Sequence, residues 1–260
     1  MIRLVTANVQ HAVVDGRRVD LARLGAALAA LDADVLALQE VDHGQRRSGG
    51  EAQTYRLAEV LRMPEHRFVP ALRGPLDGRR RRSRAVALTD DGRSPAPDGY
   101  GVALLSRHPV RAWHPMRLPG LNVPGLPPFG ADEPRVAVAA AVETPEGPLT
   151  VVATHLSWAD PWKTWQLHRL RRRLRHAPRP LVLLGDLNTR DDVPARRTGW
   201  RELVHVPTYP RARPRLRIDH ALADGPVAAL AAARAVDLGV SDHRAVVVDV
   251  TLGAEGGEPR

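Results

Sequence analysis

The stretch VSDHRAVVVDV, Val240 to Val250, joins three ionisable side chains, Asp242, His243 and Arg244, directly to an apolar run. Ala245 to Val250 is rich in β-branched residues and reads as a buried strand. Ionisable groups at the edge of a core are costly to desolvate unless they are paired or set to a task. The question it raises is whether other strands of the chain end in the same way.

They do. IRLVTANV, DVLALQEV, GVALLSR, RVAVAAAVET, LTVVATHL and PLVLLGDLN are short apolar runs bounded by turn formers, and each reads as a strand. Asn8 ends the first and Glu40 the second, His155 follows VVAT, and Asp186 and Asn188 follow LVLLG. Asp219 and His220 follow RLRI, read as a strand end, and Asp242 and His243 precede RAVVVDV. Helical patterns lie between the runs. Asp20 caps a helix that carries Leu21, Leu24, Leu28 and Leu31 on one face, a second helix covers Ala52 to Arg62, and ADPWKTWQLHRLRRRLRH begins a third with Pro161 in its first turn. ETPEGPLT reads as a hairpin turn. Hairpins mixed with helical crossovers fit an α/β chain of the α+β type, with mixed sheets flanked by helices.

At 260 residues the chain is near the size at which one core stops growing, so residues 1–252 are expected to form a single domain and 253–260 a disordered tail. Residues 73–98 read as a mobile basic insertion, and 118–135 as a second long loop. The chain has no cysteine, which excludes disulfides and thiolate metal sites and leaves Asp, Glu, Asn and His for a hard cation such as Mg²⁺. No signal-like leader and no apolar run near the ~18 residues of a membrane span is visible, so the default expectation is a soluble cytoplasmic protein, with monomer as the default oligomeric state. Net charge is +9, and all but one of the 38 basic residues are Arg. Segments 73–98 and 160–180 together hold the whole excess, so a patchy positive field is available to a polyanion such as nucleic acid.

Strand ends are rigid places from which to aim side chains, and several converging ends build one site. Each carboxylate taken alone is an ordinary turn or cap residue. The joint set of hard oxygen donors, two imidazoles and an amide suits hydrolysis of a phosphate ester. Carboxylates hold a divalent cation, an imidazole or carboxylate handles the water's proton, and neutral or cationic donors grip the non-bridging oxygens.

The pieces TANV, LALQEVD, GVALLSRHP, THL, LLGDLNT, RIDHAL and SDHRAVVVDV, in this order between residues 6 and 250, resemble the endonuclease/exonuclease/phosphatase superfamily of DNase I-like metal-dependent phosphoesterases. The resemblance implies a four-layer sandwich, two mixed β-sheets packed face to face with helices outside. It implies that Glu40 is the principal Mg²⁺ ligand with Asn8 beside it, that Asp242 completes or shares the site, and that Mn²⁺ or Ca²⁺ is an alternative ion. His243 would be general base or phosphate-contacting imidazole, oriented by Asp219. Asp186 would activate the water or protonate the leaving group, Asn188 would hold phosphate and water, and His155 would be the second imidazole. The His of THL resembles the DNase I, sphingomyelinase and inositol-phosphatase branches more than abasic-site endonucleases, and the Cys-containing segment of inositol-polyphosphate phosphatases is missing. Val102 stands where the family often has a small polar residue.

Weaker candidates remain. Trp158, Trp162 and Trp165 are expected to pack against core or helix more than to stack on substrate, with Trp158 kept as a substrate candidate. Arg135 is expected either at the rim of the site, reaching a phosphate, or in an ion pair with Glu133. His11 is a candidate pocket residue, Asp42 and His43 are expected in a turn, and His66, His108 and His114 on the surface. The functional reading is a Mg²⁺-dependent phosphodiesterase or nuclease, its mouth flanked by the two Arg-rich segments. The alternative is a phosphatase or a phospholipid phosphodiesterase, and a catalytically silent binding protein is the minor third.

Overall fold

The computed structural model describes residues 1–74, 76, 84–85, 98–118, 120 and 133–253. Most of the 73–98 insertion, nearly all of the 118–135 loop and the tail from 254 lie outside the described residues. In chain order the elements are β1 (Ile2–Asn8), β2 (Val13–Val14), β3 (Arg18–Val19), α1 (Leu21–Ala29), β4 (Val35–His43), α2 (Gln53–Leu61), β5 (Glu65–Arg73) and β6 (Arg84–Ala85). There follow β7 (Gly99–Ser106), β8 (Val110–Leu118), β9 (Arg135–Thr144), β10 (Gly147–His155), α3 (Trp162–Arg173), β11 (Leu181–Asp186) and α4 (Val193–Thr198). The chain closes with β12 (Arg201–Glu202), β13 (Asp219–Asp224), β14 (Val227–Ala229), β15 (Arg234–Val236) and β16 (Ala245–Leu252).

Two mixed sheets result. The first has the order β14-β16-β1-β4-β7-β5-β6 with β15 also on β16, and the second runs β12-β13-β11-β10-β9-β8. Alternation along each strand explains the layering. Ile2 and Leu4 of β1, Val35 and Ala37 of β4 and Val246 and Val248 of β16 meet Val136 and Val138 of β9, Val151 and Ala153 of β10 and Val182 and Leu184 of β11 in one apolar layer between the sheets. The opposite face of the first sheet, with Val5, Leu36, Leu38 and Val247, packs on Leu24 and Leu28 of α1 and Leu57 of α2. The opposite face of the second, with Val152, Leu181 and Leu183, packs on Leu167 and Leu170 of α3. The four-layer sandwich expected from the sequence is therefore the observed architecture.

The helices form for the expected reasons. Asp20 accepts a hydrogen bond from the Arg23 N–H (3.0 Å) and caps α1. Residue Arg62, left-handed at φ +52°, ends α2, and Pro161 precedes α3. The strands β5 and β8 were not evident from sequence, since Pro70 and Pro115 interrupt their patterns. Pro70 is accommodated at a register shift against β7. Asp219 opens a strand instead of ending one, as RLRI had suggested. Among the described residues no helix is long and apolar enough to cross a membrane.

Candidate active site

The topology brings the polar strand ends to one edge. β1 and β4 are parallel, as are β10 and β11, so each pair ends on the same side. β16 and β13 run antiparallel to β1 and β11, and their N-terminal ends return to that edge. In the second sheet His155 is the register partner of Asp186, which is the partner of Asp219, so three ionisable groups stand in one row across three strands. Each continues the inward-facing set of its strand: Ala153 before His155, Leu184 before Asp186, Ala221 after Asp219.

Gly185 makes this row possible. Its φ is +152°, and a Cβ there would overlap the carbonyl oxygen of Thr154 on the adjacent strand, so only glycine lets β11 approach β10 this closely at Asp186.

In the first sheet Thr6 and Asn8 continue the inward face of β1 after Ile2 and Leu4. Simple alternation on β4 would turn Glu40 outward, toward the helices. A β-bulge between Gln39 and Val41, with Glu40 left-handed at φ +58°, makes Glu40 the extra residue and re-aims it. The Asn8 amide then donates to Glu40 Oε1 (3.0 Å) and, across the gap between the sheets, to Asp186 Oδ2 (3.1 Å).

The Ser241–Asp242–His243 turn is pinned from below. Ser241, at φ +66°, donates its hydroxyl to the Asn8 carbonyl (2.7 Å) and accepts the His243 N–H (3.3 Å). His243 Nδ1 lies 2.9 Å from Asp219 Oδ2, which also accepts from the Thr208 hydroxyl. Its other nitrogen, Nε2, is 3.7 Å from Asp186 Oδ2 and 3.9 Å from Asp242 Oδ1. Tyr209 covers the imidazole at 4.9 Å between ring centroids. On the far side of Asp186, His155 Nε2 is 3.5 Å from Oδ2 and 3.2 Å from the Asn188 side-chain nitrogen, and the Asn188 N–H donates to Asp186 Oδ1 (2.9 Å).

Electrostatics separate the two imidazoles. His243 resists charge through burial, but Asp219 overrides this, with help from Asp186 and Asp242, and raises its pKa to about 10, so it is an imidazolium at neutral pH. His155 is held well below its ordinary value, first by burial and then by Arg135 and His243, so it is neutral. Arg135 donates to His155 Nδ1 (3.0 Å), which leaves the ring proton on Nε2, facing Asp186. Burial, then Asp219, pushes Asp186 up to about 7, while His243 and the hydrogen bonds from Asn188 and Asn8 pull the other way. Burial also raises Glu40, against the hydrogen bond from Asn8.

These groups open onto a cavity of about 720 Å³ whose walls include Glu40, His155, Asp186, Asn188, Asp242 and His243. The donors fit a hard divalent cation. Two carboxylates with raised pKa values share Asn8, a third has its Oδ1 buried with no hydrogen-bond partner, and all the acidic donors are oxygens. Asp186, Asp219 and His243 each place one atom within 4.8 Å of the others. In that trio His243 Nδ1 and Asp219 Oδ2 already satisfy one another, so the cluster works as a hydrogen-bonded relay. Glu40 and the more exposed Asp242 are the carboxylates left to a cation, with Asn8 held against Glu40 through its amide nitrogen while its oxygen accepts the Gln10 N–H (3.2 Å).

Several expectations are corrected. Arg135 lines the cavity, as one of its two readings had it, but from a buried position, 7% exposed and against His155. Trp158 and Trp165 are not packed in the core. They are 61% and 41% exposed, Trp158 lining the cavity. Asp42 is no turn residue, being buried in β4 with two hydrogen bonds from Arg47 (2.8 and 2.7 Å). His108 is engaged by Asp34 at 3.0 Å, and His11 is not among the cavity residues. The arginines of α3 do not line the catalytic cavity. Among the described residues its lysine and arginine side chains are Lys163, Arg190, Arg197 and Arg135. Thr208 and Tyr209 escaped sequence reading, because VPTYPRARPRLRI is aperiodic and its only signal is its place just before Asp219.

The sequence matches the Endonuclease/Exonuclease/phosphatase family over residues 5–243. No curated protein matches it. Among solved structures it is similar to an endonuclease/exonuclease/phosphatase from Beutenbergia cavernae, with 25% identity, 98% of this chain and 72% of that one covered, and a TM-score of 0.69. A mannosyl-6-phosphatase from Bacteroides thetaiotaomicron shares the fold at 14% identity, with 97% and 100% covered and a TM-score of 0.62. So does a beta toxin from Staphylococcus aureus at 14% identity, with 96% and 99% covered and a TM-score of 0.59.

Proposed function

The chain belongs to the endonuclease/exonuclease/phosphatase family of phosphate-ester hydrolases, and from that premise we propose that residues 1–252 act as one domain that hydrolyses phosphodiesters, nucleic acids foremost, with Mg²⁺. The observation that carries this reading is the single cavity lined by Glu40, Asp186, Asn188 and His243, with Asn8 behind Glu40 and the Thr208–Asp219 relay behind His243. Glu40 and Asn8, with Asp242, would hold the cation, which supplies charge neutralisation at the phosphoryl oxygens and the leaving oxygen.

The chain's own groups divide the remaining work. Asp186 faces the cavity with one oxygen fixed by the Asn188 N–H, and it orients the attacking water and accepts its proton. His243, charged and aimed by Asp219, donates from Nε2 to a non-bridging oxygen, where negative charge accumulates in the transition state. His155, neutral with Nε2–H toward the same space, is a further donor, and the Asn188 amide, bonded to the Leu156 carbonyl (3.0 Å), stands beside it. Asp219 and Thr208 are positioning residues. They set the tautomer and charge of His243 without reaching the phosphate.

Incubating the pure protein with plasmid, single-stranded DNA and RNA, with Mg²⁺, Mn²⁺ or Ca²⁺ and with EDTA, tests the proposal. EDTA-sensitive cleavage of at least one polymer is expected, and no metal-dependent cleavage of any rejects the nuclease reading. A second reading, a phosphatase or phospholipid phosphodiesterase on the same centre, is favoured by the cavity's size, which suits a small phosphate ester. Release of inorganic phosphate from sugar phosphates, or of phosphocholine from lipid, would mark it.

A further inference from the structure

We propose that the groove between α3 and α4 is a second phosphate-binding site, a track for the backbone of a single nucleic-acid strand leading away from the catalytic cavity. The proposal rests on the nuclease reading and adds a site to it. Thr164, His168, Arg171 and Arg175 follow one another at spacings of four, three and four residues, which places them on one stripe of α3 and of the 3₁₀ turn after it. Thr164 lines the catalytic cavity together with Arg197 of α4. One turn further, His168, Arg171, Arg172 and Arg175 line a second cavity of about 650 Å³ with Thr198 and Gly199, the residues that directly follow Arg197. The two cavities thus lie next to one another along the groove, with Thr164 and His168 on one wall and Arg197 and Thr198 on the other.

The charge in the groove is available. Arg179 is committed to Asp224 and to the Leu174 carbonyl, but Arg171 and Arg172 have no acidic partner among the described residues, and both are exposed. Three guanidiniums in a concave surface present forks suited to phosphate oxygens. From Thr164 to Arg172 the helix advances about 12 Å, roughly the axial length of four stacked nucleotides. Trp158, exposed on the wall of the catalytic cavity, supplies a flat face on which a base can stack, and stacking beside a cationic groove is how single strands are held. A bilayer is the weaker match. It meets convex surfaces, whereas these arginines line a hollow.

The test reads binding without turnover. A fluorescein-labelled single-stranded 20-mer is titrated by anisotropy in EDTA with the full chain, with the Arg171→Gln/Arg172→Gln/Arg175→Gln variant, and with the matching triple Lys variant. The Gln variant is expected to bind about tenfold or more weaker, with the log–log salt slope reduced by about two, while the Lys variant stays within about threefold. Hydrolysis of bis(p-nitrophenyl) phosphate, too short to reach the groove, is expected to be unchanged in both. Unchanged 20-mer affinity and slope in the Gln variant would overturn the proposal. So would equal losses in the Gln and Lys variants, a parallel loss on the small diester, or Arg-dependent binding to phosphatidylserine vesicles without oligonucleotide binding. Binding through the groove with no cleavage in Mg²⁺ would reject the nuclease reading and leave the groove standing. Cleavage with groove-independent binding would do the reverse.

Discussion

Asp186 and His243 touch the same cavity but respond to pH with different consequences. The Asp186 carboxyl is raised from 3.8 to about 7, so between those values the folded chain holds a proton that the unfolded chain has lost, and stability falls as pH rises through that window. Asp186→Asn removes the liability. In metal-free protein this variant should melt at least ~2 °C above the parent at pH 8 and level with it at pH 4, as checked by thermal denaturation. Its kcat should drop by about 10²- to 10⁴-fold. A variant less stable than the parent at pH 8 would contradict the electrostatic account. For His243 the folded value of about 10 exceeds the ordinary 6.5, so its stabilisation is complete below about 6.5 and is lost as pH rises through about 10. Asp219→Asn removes the main source of that shift. An NMR titration of the His243 ring should then show a midpoint at least two units lower, and a midpoint still near 10 would show that other groups hold the proton. Asp186, Asp219 and His243 were legible because each sits in a short motif beside an apolar run. The depth of Arg135 and the contribution of Thr208 were not, since each is fixed by a partner distant in sequence, His155 at twenty residues and Asp219 at eleven.

Among the elements, those built from uninterrupted periodic runs were readable from sequence, as in β1, β9, β11 and α1. Where a local departure is absorbed by a neighbour, the sequence was silent. Pro70 in β5 is tolerated because β7 shifts register beside it, and the outward parity of Glu40 is reversed by a bulge that exists only against β7. Gly185 lies between these cases, visible as the glycine of GDLN but explained only by the Thr154 carbonyl packed against it. Gly185→Ala should lower stability by about 2–4 kcal/mol in denaturant unfolding, through the overlap and the unfavourable φ together. A loss under ~0.5 kcal/mol would mean that β10 and β11 can separate without cost. The same variant should lose activity even where it remains folded, because His155 and Asp186 are cross-strand neighbours at that point.

For the whole molecule, the site belongs to neither sheet alone. Asn8, Glu40 and His243 come from the first, His155, Asp186 and Asp219 from the second, and the bonds from Asn8 to Asp186 and from His243 to Asp219 cross the interface. A cation held there should stabilise the folded state by about 2.7 kcal/mol at a hundredfold excess over its dissociation constant. Glu40, the proposed principal ligand, and Asp186, which shares Asn8 with it, both hold their protons above the ordinary carboxylate range, and the charge of each favours a nearby cation, so the gain in melting temperature on adding Mg²⁺ should be larger at pH 8 than at pH 5.5. Equal gains at both values would show that neither carboxylate's proton is linked to the ion.

The order in which the strands are made adds a last consequence. β16 is the final strand of the first sheet, it pairs directly with β1, and His243 sits just before it. A nascent chain lacks the imidazolium until the region around residue 250 has cleared the exit tunnel. Any chain that stops before residue 243 therefore lacks the imidazolium that Asp219 is placed to orient.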